Sequence, residues 1–232
     1  MCTSFVYNGN KTLIGWNLDI LDMDYKVVEE ESTVYIAIHD ATQGWLPLFG
    51  VNKYGDFIAM PTCWPFDARS NPTKANDLNV MMINIELLIG KRRFLETKEL
   101  VEKNPVYSIP GVTFQSQLSD IHGNVLQIIP GQGHRYFEKP NYQVLTNFSP
   151  FKGNSELHPW MGIDRYEIAV KMIEEKCENL DVDDCFSILQ ATSQVVCPTV
   201  VSMVFDASEH IIYWCENRNF NKINSKHLNL EV

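Results

Sequence analysis

Apolar and polar residues alternate from Thr3 to Tyr7, with Ser4 and Val6 between, and a period of two predicts a strand. Asn8-Gly9-Asn10 then reads as a tight hairpin turn, and Lys11 to Trp16 as the returning strand. An Asp-rich loop from Leu18 to Tyr25 and a solvated acidic run, Glu29-Glu30-Glu31, follow. Thr33 to His39, Trp45 to Val51 and Asp56 to Thr62 carry strand composition, with turns at Asp40 to Gly44 and Asn52 to Gly55. The pattern breaks from Cys63 to Asp77, where Pro65, Ser70, Asn71 and Pro72 exclude regular structure. A loop of that length is either the wall of a pocket or a surface excursion.

Two helices are predicted next, over Asn79 to Lys91 and Leu95 to Lys103, the second stopped ahead of Pro105. Strands resume at Val112 to Ser119, Val125 to Ile129 and Tyr142 to Thr146, and a second irregular stretch runs from Asn147 to Gly162. Asp164, with Glu167 three residues on, suits a helix start. Tyr166, Ala169, Val170, Ile173 and Cys177 fall on one helical face, and Asp181 caps a fourth helix with Val182, Cys185, Phe186 and Leu189 inward. Thr199 to Phe205 and His210 to Cys215 close the chain as strands, with an edge strand within Asn217 to Leu230. Strands, helices, strands, helices, strands: that order predicts an α+β domain of two stacked antiparallel sheets with helices on the outer faces. No linker divides residues 1–232, so one domain is expected.

Composition narrows the function. The chain has 232 residues, 45% of them hydrophobic, enough for one substantial core. The formal charge of −10 disfavours nucleic acid and anionic membranes as partners. No apolar run reaches membrane-spanning length, and the first residues carry no basic and apolar leader, so a cytoplasmic location is expected. Of the cysteines Cys2, Cys63, Cys177, Cys185, Cys197 and Cys215, no two form a C-x-x-C pair, and thiols are expected without metal. Gly131-Gln132-Gly133 lacks a following helix signal and supports no nucleotide site. No cofactor is expected.

The chemistry concentrates at Cys2. Removal of Met1 would leave a thiol and an α-amine on one residue, and an amine with a reference pKa of about 7.7–8.0 is a base suited to neutral pH. The alternative is a buried strand residue. The second strand returns Asp19 to the level of Cys2, where a carboxylate could hold that amine. Asn147, where a strand ends in a loop, could donate to an oxyanion. Arg165 stands at a helix start, where the dipole disfavours a cation, which hints at another purpose.

These segments resemble the choloylglycine hydrolase and penicillin V acylase family of N-terminal-nucleophile hydrolases. Met1-Cys2-Thr3, Gly15-Trp16-Asn17-Leu18-Asp19, Gly55-Asp56-Phe57-Ile58-Ala59-Met60, Val144-Leu145-Thr146-Asn147 and Ile163-Asp164-Arg165-Tyr166 match its motifs in order. The resemblance implies a four-layer αββα sandwich, Cys2, Asp19, Asn147 and Arg165 as catalytic residues, and hydrolysis of a linear amide through an acyl-cysteine. Three departures stand out. Trp16 replaces the family's arginine and is expected beside the nucleophile as an apolar substrate contact, leaving Arg165 as the pocket's main cation. Thr62 stands near the family's second active-site asparagine. The stretch between Asn147 and Arg165 is shorter than in bile salt hydrolases, so their tetramer and their substrate are not implied. A small-molecule amide is the expected partner, with homo-oligomerisation open. An acyltransferase or a catalytically silent binding protein on the same scaffold are the competing readings.

Overall fold

The computed structural model describes residues 2–64, 72, 75–151, 161–176 and 179–231. The first hairpin forms as its pattern demands. Strand β1 (Cys2–Asn8) pairs antiparallel with β2 (Thr12–Asp19), placing Cys2 opposite Leu18, Ser4 opposite Trp16 and Val6 opposite Ile14. Partners in register share a face. One face of the hairpin therefore carries Cys2, Ser4, Val6, Ile14, Trp16 and Leu18. The other carries Thr3, Phe5, Tyr7, Leu13 and Asn17.

A six-stranded antiparallel sheet is built around this hairpin. β12 (Tyr142–Leu145) flanks β1, and β13 (Thr199–Asp206), β14 (Ile211–Glu216) and β15 (Asn224–His227) continue from β2. Helices α3 (Ile163–Lys176) and α4 (Val182–Ala191) cover its outer face, burying Phe5, Tyr7, Leu13 and Val204 against Ala169, Ile173, Cys185 and Leu189. Asp181 caps α4 by accepting from the Asp184 backbone N–H, as its position predicted. Asp164 does not cap α3: the helix already begins at Ile163. Cys177, Met1, residues 65–71 and 73–74 of the first irregular loop, and residues 152–160 of the second, lie outside the described residues.

The second sheet is seven-stranded, in the order β11 (Gly133–Phe137), β10 (Val125–Ile129), β9 (Ser116–Ser119), β6 (Phe57–Ala59), β5 (Gly44–Val51), β4 (Val34–Asp40) and β3 (Tyr25–Glu29). The pattern reading missed β3, which follows the Asp-rich loop as a half-exposed edge strand. Helices α1 (Val80–Leu88) and α2 (Phe94–Lys103) bury Val80, Leu87, Phe94 and Val101 on its outer face. A two-residue parallel pair, β7 (Leu78–Asn79) with β8 (Val106–Tyr107), ties the ends of this helical layer together. The layers are thus helices, sheet, sheet, helices, the expected αββα sandwich.

Between the sheets lies the largest apolar cluster, including Cys2, Trp16, Leu18, Phe49, Met60, Met203 and Phe205. Two contacts fix how the sheets stack. Gln117 of β9 donates to Ser4 Oγ of β1 at 3.0 Å, and the Trp16 ring of β2 lies 4.6 Å from that of Phe49 in β5. So β1 lies over β9, and β2 over β5.

Candidate active site

Cys2 begins β1 with its side chain turned between the sheets, and is 4% exposed. Its sulfur lines a cavity of about 170 Å³ at the end of the sandwich. The cavity crosses the second sheet. Thr62 and Phe114 lie near Cys2, Met60 and Leu48 form the middle, and Ile38, Leu46 and Met23 lie beyond. Nearly all of its wall is carbon. Its polar groups, among the described residues, are Cys2, Asp19, His39, Asp40 and Thr62.

A hydrogen-bonded cluster stands behind the thiol. The Cys2 backbone nitrogen donates to Asn147 Oδ1 at 2.9 Å. Arg165, only 5% exposed, donates from Nη1 to the Cys2 carbonyl at 2.7 Å and to Thr3 Oγ1 at 3.1 Å, and from Nη2 to Asn147 Oδ1 at 2.8 Å. Arginine only donates, so the Asn147 atom facing it must be the oxygen, which fixes the amide's orientation. Asn147 Nδ2 then has two acceptors for its two hydrogens, the Thr62 carbonyl at 2.7 Å and Thr62 Oγ1 at 2.9 Å. The Thr62 hydroxyl accepts from Asn147, so its own hydrogen is not used in that bond, and Thr62 is among the residues lining the cavity.

Gly162, just before α3, allows the arginine to sit there. A Cβ at this position would lie 2.4 Å from Arg165 Nη2, and its φ of +85° suits glycine. Thr146 Oγ1 donates to the Gly162 carbonyl at 2.9 Å, anchoring the turn to the end of β12.

Asp19, the last residue of β2, is 2% exposed. Thr199 Oγ1 donates to its Oδ1 at 2.6 Å, Gln194 Nε2 donates to Oδ2, and Arg165 Nη1 stands 3.9 Å from Oδ2. Burial pushes the carboxyl up to about 6, against the opposing pull of Thr199, Gln194 and Arg165. Burial also raises the Cys2 thiol to about 11, with the Asp19 charge adding to it. The Asp19 backbone N–H, bonded to the sulfur, and Arg165 offset this only in part. At neutral pH the side chain is therefore a thiol, which attacks only where a base takes its proton.

The structure brings together Cys2, Asp19, Thr62, Asn147 and Arg165, but redistributes the roles expected of them. Asn147 does not present its NH₂ to the cavity, because both hydrogens go to Thr62. Arg165 is not a cation in the cavity wall. It lies behind β1, where it holds the backbone of Cys2. Trp16 does not line the cavity either. It points between the sheets two residues before Leu18, is fully buried, and packs on Phe49, which does line the cavity. Its Nε1 has no hydrogen-bond partner among the described residues. Sequence reasoning missed Thr199 and Gln194, the partners of Asp19. They lie in and just before β13, 175 to 180 residues away in sequence, and only the pairing of β13 with β2 brings them to it.

Solved structures with this architecture exist. The chain superimposes on a cysteine-to-alanine variant of conjugated bile acid hydrolase from Clostridium perfringens with a TM-score of 0.71 and 16% identity, covering 99% of this chain and 93% of that one. It has the fold of a conjugated bile acid hydrolase. An arginine-to-leucine variant of that hydrolase gives a TM-score of 0.72 at 16% identity, covering 98% and 93% of the two chains. Penicillin V acylase from Agrobacterium tumefaciens gives 0.64 at 15% identity, covering 93% and 83%. The bile acid hydrolase fold thus accounts for nearly the whole chain, β1 and α3 included. No sequence-family model matches the chain, and no curated protein matches it by sequence. No described helix is long and apolar enough to cross a membrane.

Proposed function

We propose that this protein hydrolyses a linear amide bond, with Cys2 as the nucleophile once the residue before it is removed. The observation that carries this reading is the setting of the Cys2 nitrogen. It lies 2.9 Å from Asn147 Oδ1, in a cluster with Arg165 and Asp19, on the residue whose thiol faces the cavity. While Met1 is attached, this nitrogen is an amide and holds no base. Freed, it is an amine held by Asn147 in a cluster that includes the Asp19 carboxylate, and able to take the thiol proton.

The steps follow from these positions. The amine accepts the thiol proton as sulfur attacks the amide carbonyl, and a carbon–sulfur bond forms. The carbonyl oxygen gains negative charge, and the Thr62 hydroxyl, polarised by Asn147, donates to it. The ammonium of Cys2 then protonates the leaving nitrogen, and the carbon–nitrogen bond breaks. Water adds to the acyl-cysteine, giving its proton to the amine. The carbon–sulfur bond breaks, the carboxylic acid departs, and the thiol is restored. Arg165 positions the nucleophile by fixing the Cys2 carbonyl and the Asn147 side chain. The structural neighbours are a conjugated bile acid hydrolase and a penicillin V acylase, which supports this reaction class.

Intact mass, brief iodoacetamide labelling with peptide mapping, and turnover of a panel of N-acyl amines test the proposal together. Protein that starts at Cys2 is expected to be active and to lose activity as Cys2 is alkylated, while Cys2→Ala is inactive and folded. Thr62→Val is expected to lose about 10²–10³ in rate and Thr62→Ser to recover most of it. Full activity in Cys2→Ala would overturn the proposal.

A further inference from the structure

Exposed apolar side chains gather where the cavity meets solvent. Met23 lines the cavity and is still 51% exposed, so the cavity opens there. Leu21, two residues earlier in the same loop, is 58% exposed. The His39 N–H donates to the Asp24 carbonyl, setting this loop against β4. Trp45, paired with His39, shares its face of the sheet, the one turned away from Ile38 and Leu46, and the Lys26 ammonium lies over its ring at 4.4 Å.

The cavity itself has a direction. Cys2 lies on β1, over β9, at the end with Thr62 and Phe114. The far end lies against β4 and the loop before β3, three strands across the second sheet. Cys2, Asp19 and Thr62 gather at the Cys2 end, and His39 and Asp40 stand at the β4 end, near the mouth. The path from there runs past Leu48, Leu46 and Ile38 to Met23.

We infer, resting on the reaction proposed above, that this path receives the acyl half of the substrate as a linear chain running from Cys2 to Met23. Carbons beyond the cavity lie on the exposed strip of Leu21 and Met23. A cavity of ~150 Å³ holds one benzene, so this one takes about six carbons. A rigid fused-ring acyl group exceeds that volume. A longer linear chain does not, because its remainder leaves over the apolar rim. The strip is continuous with the cavity through Met23, and that continuity favours an acyl chain over a separate partner as its occupant.

The experiment is a chain-length series of N-acyl amines, from two to fourteen carbons, sharing one neutral leaving amine. The processed wild-type protein is expected to gain about fourfold in kcat/KM per methylene up to about six carbons, as each is fully buried. Up to about ten to twelve carbons it gains about twofold per methylene, on a half-exposed strip. Met23→Ser and Leu21→Ser are expected to flatten the second part of the series while the first part keeps its slope. Binding of the same compounds to Cys2→Ala, measured by calorimetry, reads the preference without turnover and is expected to show the same two slopes. Turnover that falls beyond four carbons, or that is indifferent to length in wild type and variants alike, would overturn the inference while leaving the amidase intact. No turnover of any member, with length-dependent binding retained in Cys2→Ala, would overturn the reaction and keep the chain site.

Discussion

Two buried carboxylates, Asp19 and Asp56, invite comparison because burial does the same thing to both. Each sits at one end of a strand, is almost completely enclosed, and is pushed up to about 6 mainly by loss of water. Their surroundings differ. Asp56 lies in the turn between β5 and β6, receives Asn52 Nδ2 at 3.1 Å, and is raised further by Asp120 nearby. Its own backbone N–H donates to Asn52 Oδ1 at 2.9 Å, and Asn52 Nδ2 also donates to the Leu87 carbonyl at the end of α1. All of these contacts serve a turn and a helix end. Asp19 lies beside a thiol and 3.9 Å from a buried guanidinium, and it borders a cavity. A shifted pKa therefore marks burial. What marks a site is burial together with a nucleophile, a cation and an open volume.

The sharpest test of that difference replaces each carboxylate by its amide. In the proposed mechanism Asp19→Asn removes the carboxylate that serves the Cys2 amine, and is expected to lower kcat/KM by about 10²-fold or more, the usual range for a group serving proton transfer. Asp56→Asn is expected to leave kcat/KM within about twofold, since Asp56 is not among the described residues that line the cavity. Steady-state kinetics on one acyl amide measures both. Equal losses would mean that the two carboxylates act only through the fold.

A smaller effect separates them by pH. A carboxyl whose folded pKa is raised favours the fold while protonated. Its stabilisation is complete below the unfolded value near 4 and is lost as pH rises through about 6. Denaturant midpoints taken from pH 4 to 7 are therefore expected to fall less steeply in Asp56→Asn than in wild type. Of the two carboxylates, activity should respond only to Asp19, and in the opposite sense, because the amine works with that carboxylate. The amine must be unprotonated to take the thiol proton, so wild-type kcat/KM is expected to fall as the amine is protonated, below about 8, and again as Asp19 is protonated, below about 6. That second acid limb should remain in Asp56→Asn and vanish in Asp19→Asn.

How much of this was legible in the sequence follows from how local each feature is. The first hairpin, the cap of α4 and the apolar faces of α3 and α4 were read from turn residues, a cap and periodicity, all of which act over a few residues. Strand β3 was not, because Tyr25 to Glu29 mixes charge and apolar residues as a half-exposed edge strand does. Cys2, Asp19, Thr62, Asn147 and Arg165, which the fold gathers in one place, were singled out because they stand in or near motifs. Their contacts were not legible, because contacts depend on which atom faces which. The orientation of Asn147 is set by Arg165, eighteen residues away, and Trp16 is kept from the cavity by its register opposite Ser4. The Trp16 substitution that suggested a substrate contact instead contributes an indole to the inter-sheet core.

The smallest expected effect concerns what keeps Asp19 ionised. Thr199 and Gln194 both pull its pKa down, against a larger upward push from burial. Thr199 Oγ1 does two things: it donates to Asp19 Oδ1 and accepts from the Gln194 backbone N–H at 2.8 Å. Removing it withdraws one hydrogen bond directly and loosens the residue that supplies another. Each bond favours the charged form, so its loss raises the pKa and moves the second acid limb of kcat/KM to higher pH. Thr199→Val is expected to shift the limb further than Gln194→Met. Near pH 6 either variant should lose a few-fold in kcat/KM, and at pH 8 little, because the carboxylate is then ionised regardless. A purely structural role would lower activity equally at both pH values and leave the limb in place. Thr199→Ser, which keeps the hydroxyl, should restore the wild-type profile. The corresponding change at Asp56, replacing Asn52, should move no limb at all, and a shift there would erase the distinction between the two carboxylates.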